Sequence, residues 1–213
     1  MADDAIVASS LYENKVGVGT EEISQEDLNT PILKIIQTNT QNIENKQEGF
    51  FYRSDTREQV ESVDVNLVYV STLEVENYNK TGKEKVKVYF GFYGGTNEPF
   101  KMYIRGWGLA SHRNFQTEVA GVKTKLGVPM LALTVHLTTE KQSGTIADTG
   151  KPYTVYKPIF TVLKDDQGLI IEKTPERVNF LLEAVARFRA ISFTSQTDDK
   201  QNAVEAVEEP PPF

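Results

Sequence analysis

Residues 85–93 read Lys-Val-Lys-Val-Tyr-Phe-Gly-Phe-Tyr, residues 94–99 Gly-Gly-Thr-Asn-Glu-Pro, and residues 100–107 Phe-Lys-Met-Tyr-Ile-Arg-Gly-Trp. The pattern alternates with period two on both sides of a turn. Successive side chains of a strand point to opposite faces. Val86, Val88, Phe90 and Phe92 therefore share one face, and Lys85, Lys87, Tyr89 and Tyr93 the other. Beyond the turn, Phe100, Met102 and Ile104 form an apolar face, with Lys101, Tyr103, Arg105 and Trp107 opposite. Read as a hairpin, one side looks into a core. The other carries cations, rings and Gly91. Such a face suits a polyanion with flat bases, namely single-stranded nucleic acid. The competing reading is an ordinary sheet face under a helix or a second sheet, with Trp107 in the core. Burying Lys85, Lys87, Lys101 and Arg105 together without counter-charges would be expensive, which weighs against it.

Working outward, the chain of 213 residues, 39% of them hydrophobic, is long enough for one sizeable domain with tails. Net charge is -7, which alone argues against a nucleic-acid partner, but its distribution reverses that. Residues 1–30 carry -6 and residues 195–213 carry -4, so the body between them carries +3. A mildly basic body between acidic ends is an asymmetry that matters for partners. No apolar run approaches the roughly 20 residues that span a bilayer, so no membrane segment is expected. The acidic N-terminus lacks the regions of a signal peptide, and a cytoplasmic location is expected. There is no cysteine, hence no disulfide or thiolate metal site.

The expected organisation is a flexible acidic arm (1–28), a nucleic-acid-binding domain (29–193) and a disordered acidic tail (194–213). Within the body, Leu28–Gln37, Gly49–Arg53, Val63–Ser71, the opening hairpin, Val128–Thr139 and Tyr153–Leu163 read as strands. Val63, Val65, Leu67 and Tyr69 are placed on one face. Pro158 points to an edge strand or a bulge. Three basic connections are expected at 74–84, 111–127 and 140–152. They add Tyr78, Lys80, Lys83, Arg113, Phe115, Lys123 and Lys125 to the candidate DNA-binding residues. One helix is predicted over Thr174–Ile191, with Thr174 as N-cap, Pro175 at the first position and Glu176 at the positive end of the dipole. Roughly seven strands and one helix make a mainly-β domain. A closed or partly closed barrel manages the edges of its long strands.

Catalytic motifs fail. Asp148-Thr149-Gly150 has no second copy and polar surroundings, and Gly150-Lys151 lacks the preceding glycine and following Ser/Thr of a phosphate loop. His112 and His136 sit in no metal-ligand pattern and read as structural, so neither a metal nor another cofactor is expected. The chain is expected not to be an enzyme.

The tail closes Glu205, Glu208, Glu209, Pro212, Phe213. It resembles the C-terminal tip of bacterial single-stranded DNA-binding proteins and their phage counterparts, where an acidic tail ends in an aromatic that docks on replication and repair enzymes. It departs from them in having scattered glutamates and extra prolines in place of a dense aspartate run. Size, a lone C-terminal helix and the acidic tail also look like the phage-encoded members, as does Pro-Ile-Leu-Lys-Ile-Ile-Gln at 31–37. The resemblance implies an oligonucleotide-binding (OB) barrel and a role in phage-type replication or recombination in the host cytoplasm. It further implies that Glu205, Glu208, Glu209, Pro212 and Phe213 bind partner proteins. Tethered acids can also occupy a basic groove in cis until DNA displaces them. The alternatives are a virion structural or decoration protein and a strand-annealing recombination mediator. The sequence leaves a homodimer open.

Overall fold

The structure, a computed structural model, describes residues 30–76, 82–146, 150–166 and 168–194. The arm at 1–28, Tyr78, Lys80 and the tail with Glu205, Glu208, Glu209, Pro212 and Phe213 lie outside the described residues. The described elements are β1 (Leu33–Ile35), β2 (Phe51–Arg53), β3 (Gln59–Val60), β4 (Val63–Glu76), β5 (Lys83–Tyr93), β6 (Pro99–Ile104), α1 (Gly108–Leu126), β7 (Thr134–Thr145), β8 (Pro152–Val162), β9 (Lys164–Asp165), β10 (Gly168–Leu169) and α2 (Pro175–Thr194). A 3-10 turn, Met130–Ala132, precedes β7. None of these helices is long and apolar enough to cross a membrane.

The protein is mainly β, and its centre is a curled five-stranded antiparallel sheet, half a barrel, in the order β6-β5-β4-β7-β8. The curl has a local cause. The β4–β5 register shifts between Leu67 and Tyr69, where Leu67 faces Gly91 and Tyr69 faces Phe90. A bulge of this kind increases the twist and bends the strand. It also flips the parity, so Val65 and Leu67 point into the concave side while Leu73 and Val75 join the convex side. Tyr69 follows the second set, against the single face expected for Val63–Tyr69.

Gly91 lets the strands approach at this bend. A Cβ there would lie 2.6 Å from the Asn66 carbonyl oxygen and 3.0 Å from the Phe100 ring.

Both sides of the sheet are covered. On the concave side Tyr89, Phe100, Met102, Leu137 and Phe160 pack with Phe115 and Val119 of α1. On the convex side Val86, Val88, Phe90, Phe92 and Tyr103 pack with Leu181, Ala184 and Phe188 of α2. The predicted C-terminal helix is therefore present and seated on the sheet. Residues 111–127 correct the expectation of a connection, because they lie in α1, a second helix. Its buried stripe, Gly108, Ser111, His112, Phe115 and Val119, has helical spacing but small and polar members. Gly127 ends the helix in the left-handed region (φ 70), its N–H donating to the Lys123 carbonyl at 2.9 Å.

The gap between the edge strands β6 and β8 is spanned by α1 and by β1, each of which touches both. Ile32 bridges Lys101 in parallel, and the Lys101 N–H donates to the Pro31 carbonyl at 2.8 Å. On the other side the Gln37 carboxamide acts as a strand residue. It donates to the Tyr156 carbonyl at 2.8 Å and accepts the Tyr156 N–H at 2.8 Å. β8 is the edge strand that Pro158 pointed to.

Candidate nucleic-acid interface

The register of the opening hairpin splits the residues expected on one face. Tyr89 pairs with Met102 and Gly91 with Phe100, whereas Phe90 pairs with Lys101 and Val88 with Tyr103. Tyr89 and Tyr93 thus point into the barrel, and Lys101 and Tyr103 toward the α2 side. A one-residue change of phase between strands exchanges whole faces.

Five expected DNA contacts are corrected by burial. Tyr89 is 0% exposed, 5.2 Å from the Phe160 ring. Phe115 is buried and stacked on Phe160 at 4.9 Å. Tyr93 is buried under the Arg53 guanidinium, 4.0 Å above its ring. Tyr103 is buried in the α2-side core, and Lys101 beside it is 4% exposed. Side chains inside a packed core offer no face for a base.

Arg105 is mostly covered, and its guanidinium donates to Glu84 at 2.9 Å. Burial pulls its pKa down while Glu84 pushes it back up, so it remains a charged structural pair. Lys83 and Lys85 are exposed, and half-buried Lys87 donates to Thr72 Oγ1 at 2.7 Å. Arg113, Lys123 and Lys125 are exposed along α1. At 1.5 Å per residue, Lys123 and Lys125 stand roughly 25 Å along the axis from Trp107, so they do not join its surroundings.

Trp107 faces out at 38% exposure and is the most exposed aromatic side chain among the residues whose burial is described. It occupies the corner between β6 and α1. Gly106 turns that corner in the left-handed region (φ 50), and a Cβ on Gly108 would meet Ile104 at 2.9 Å. The indole stacks on Tyr153 of β8, with centroids 5.3 Å apart and planes 19° apart. Tyr153 pairs with Gly144 on β7, and a Cβ on Gly144 would fall 2.8 Å from the phenolic oxygen. The glycine makes room for the ring. Sequence reasoning missed Tyr153. Its one signal, a tyrosine opposite a strand glycine, depends on the β7–β8 register.

Behind this corner lies a buried polar pair. The Gln116 amide donates to the Tyr89 oxygen at 3.3 Å, and the same hydroxyl is hydrogen-bonded to His112 Nδ1 at 2.6 Å. Burial, with Lys87 and Arg113 nearby, holds the His112 pKa below its usual value. The folded state resists this protonation more than the unfolded state does. Stability is therefore full above a pH of about 6.5 and declines below it, by at most ~1.4 kcal/mol per pH unit for one proton. Thermal melts from pH 7.5 to 5.5 should show this slope, and His112→Gln should flatten it. An equal slope in the variant would contradict the assignment.

A separate open groove of about 440 Å3 is lined by Glu48, Glu61, His136, Lys141 and Tyr156 among others. His136 Nδ1 is 2.6 Å from Asp64 Oδ1, so this histidine is held in a surface pair. With two carboxylates in its wall the groove does not suit a polyanion. No group of three or more His, Asp or Glu among the described residues is placed to hold a metal ion.

Comparison with protein-family models, with curated proteins and with solved structures found no match.

Proposed function

We propose that this chain is a non-catalytic protein that binds and protects single-stranded DNA, largely independently of sequence, through an OB-type barrel. The observation that carries the reading is connectivity. Five strands in the order β6-β5-β4-β7-β8 form half a barrel, with α1 inserted between its third and fourth strands in chain order. That arrangement is consistent with an OB barrel, which engages oligonucleotides with its second and third strands and with the loops joining strands 1–2 and 4–5. The corresponding connections here are residues 77–82 and 146–151. Lys83, Lys85 and Lys87 follow the first, and Lys151 lies in the second.

In this reading the backbone of the strand follows Lys83, Lys85, Lys87 and Arg113. The tail recruits replication or recombination enzymes through Phe213 and competes with DNA for the basic surface. If Lys83, Lys85, Lys87 and Arg113 each neutralise one phosphate, log affinity should fall with log salt at a slope of about -2.8. Between about 50 and about 200 mM salt that is a loss of roughly 50-fold. Fluorescence anisotropy of labelled oligothymidine measures it. No binding at the lower salt would overturn the proposal and return the chain to the virion-protein alternative.

A further inference from the structure

We propose that Trp107 and Tyr153 form the base-stacking step of this interface, so that a single strand crosses the β6–α1 corner rather than the face of the β5–β6 hairpin. The inference rests on the DNA-binding reading and deepens it. The hairpin face is unavailable on both sides: α2 covers Val86, Val88, Phe90 and Phe92, and α1 covers Tyr89. A base needs an accessible ring, and Trp107 is the most exposed ring among the residues whose burial is described.

The pair is built as a step. Its planes lie 19° apart at 5.3 Å, and the indole is 38% exposed, so a base can extend the stack on the side away from Tyr153. Glycines at 106, 108 and 144 hold the corner and seat the tyrosine, and at two of them a Cβ would fall within 3 Å of a neighbour.

Charge complementarity names the occupant. Lys151 stands two residues before Tyr153, and Arg113 is exposed on α1 six residues after Trp107. Glu84, the carboxylate at this corner, is already engaged by Arg105. The corner also touches both loop-bearing hairpins, β4–β5 through Arg105–Glu84 and β7–β8 through Trp107–Tyr153. An exposed ring with cations on the segments that carry it fits the unstacked bases of a single strand. Duplex bases, already stacked on one another, cannot offer a face to it.

The test uses the full chain and labelled oligothymidine. Anisotropy is read across a salt series for the unaltered protein and for Trp107→Ala, Trp107→Phe, Tyr153→Ala and Leu126→Ala. Stacking energies predict roughly 5- to 150-fold weaker binding for Trp107→Ala, and a smaller loss for Tyr153→Ala, which removes the ring behind the indole rather than the one the base meets. Their salt slope should be unchanged, because a ring neutralises no phosphate. Trp107→Phe should keep most of the affinity. Leu126→Ala, which alters an exposed apolar residue at the far end of α1, should keep all of it. Emission of the single tryptophan should be quenched on binding. If the unaltered protein binds and both ring deletions bind equally well, the stacking step is wrong and the DNA-binding reading stands. If the unaltered protein does not bind, the reading itself falls. Should Tyr153→Ala fold poorly, Trp107→Ala decides, since its side chain is at the surface.

Discussion

Phe90→Ala should cost about 3–5 kcal/mol of folding stability, read as a lower midpoint in a urea or guanidinium titration. Phe90 is fully buried where the convex face meets α2, stacked on Phe188 at 4.9 Å and 6.1 Å from Tyr69. Truncation removes the ring that joins sheet and helix, and the surrounding rings can collapse only partly. The residue loses both transfer energy and the dispersion contacts of its neighbours. Phe90→Leu refills much of the volume and should lose less. A loss below about 1 kcal/mol for the alanine variant would mean that α2 does not seal this face.

Gly91→Ala should be destabilising by about 3 kcal/mol, the upper end of what overpacking costs, although it adds one methyl group. The clash is with backbone, the Asn66 carbonyl oxygen at 2.6 Å, and backbone cannot rotate away. Asn66 is also pinned, its amide donating to the Leu133 carbonyl at 3.2 Å and its oxygen accepting from Arg177 at 3.4 Å. The strands must therefore part beside the bulge. The control is Gly121→Ala on α1, where a Cβ meets nothing within 4 Å. A mid-helix glycine in open space should be stabilised by about 0.5–1 kcal/mol on this change. If the two variants moved together, glycine content rather than the bend would explain the first.

What could be read in advance follows from which features repeat. α2 was legible because Val178, Leu181, Leu182, Val185 and Phe188 recur at helical spacing. The long strands were legible by alternation, except that β7 runs Thr134–Thr145 where a strand over Val128–Thr139 and a connection from 140 were expected, and Pro158 marked an edge. α1 was not, because its buried stripe includes Gly108, Ser111 and His112, which no hydropathy pattern distinguishes from a polar loop. The bulge in β4 was hidden inside the unbroken run Leu67–Val70.

The candidate interface failed at one step. Alternation assigns faces within a strand, but the turn at 94–98 sets the phase between strands, and that phase separates Tyr89 from Lys101. Tyr89 reads as a surface ring until its hydroxyl is seen hydrogen-bonded to His112 in the core. The outward placement of Trp107 follows from Gly106, which turns the chain at the end of β6 in the left-handed region, a conformation that alternation does not reveal.

The seam closed by Gln37 has a consequence for how the molecule assembles. Its two hydrogen bonds join residues 119 apart in sequence, while the β4–β5 and β7–β8 hairpins pair neighbours along the chain. Closing a long loop costs entropy that local hairpins do not pay. Contacts of such separation also slow folding. The hairpins thus form early and the seam zips late, so the barrel matures from an open, curved sheet with β6 and β8 unjoined. Until β1 arrives, the exposed edge of β8 is a strand edge able to pair with another chain.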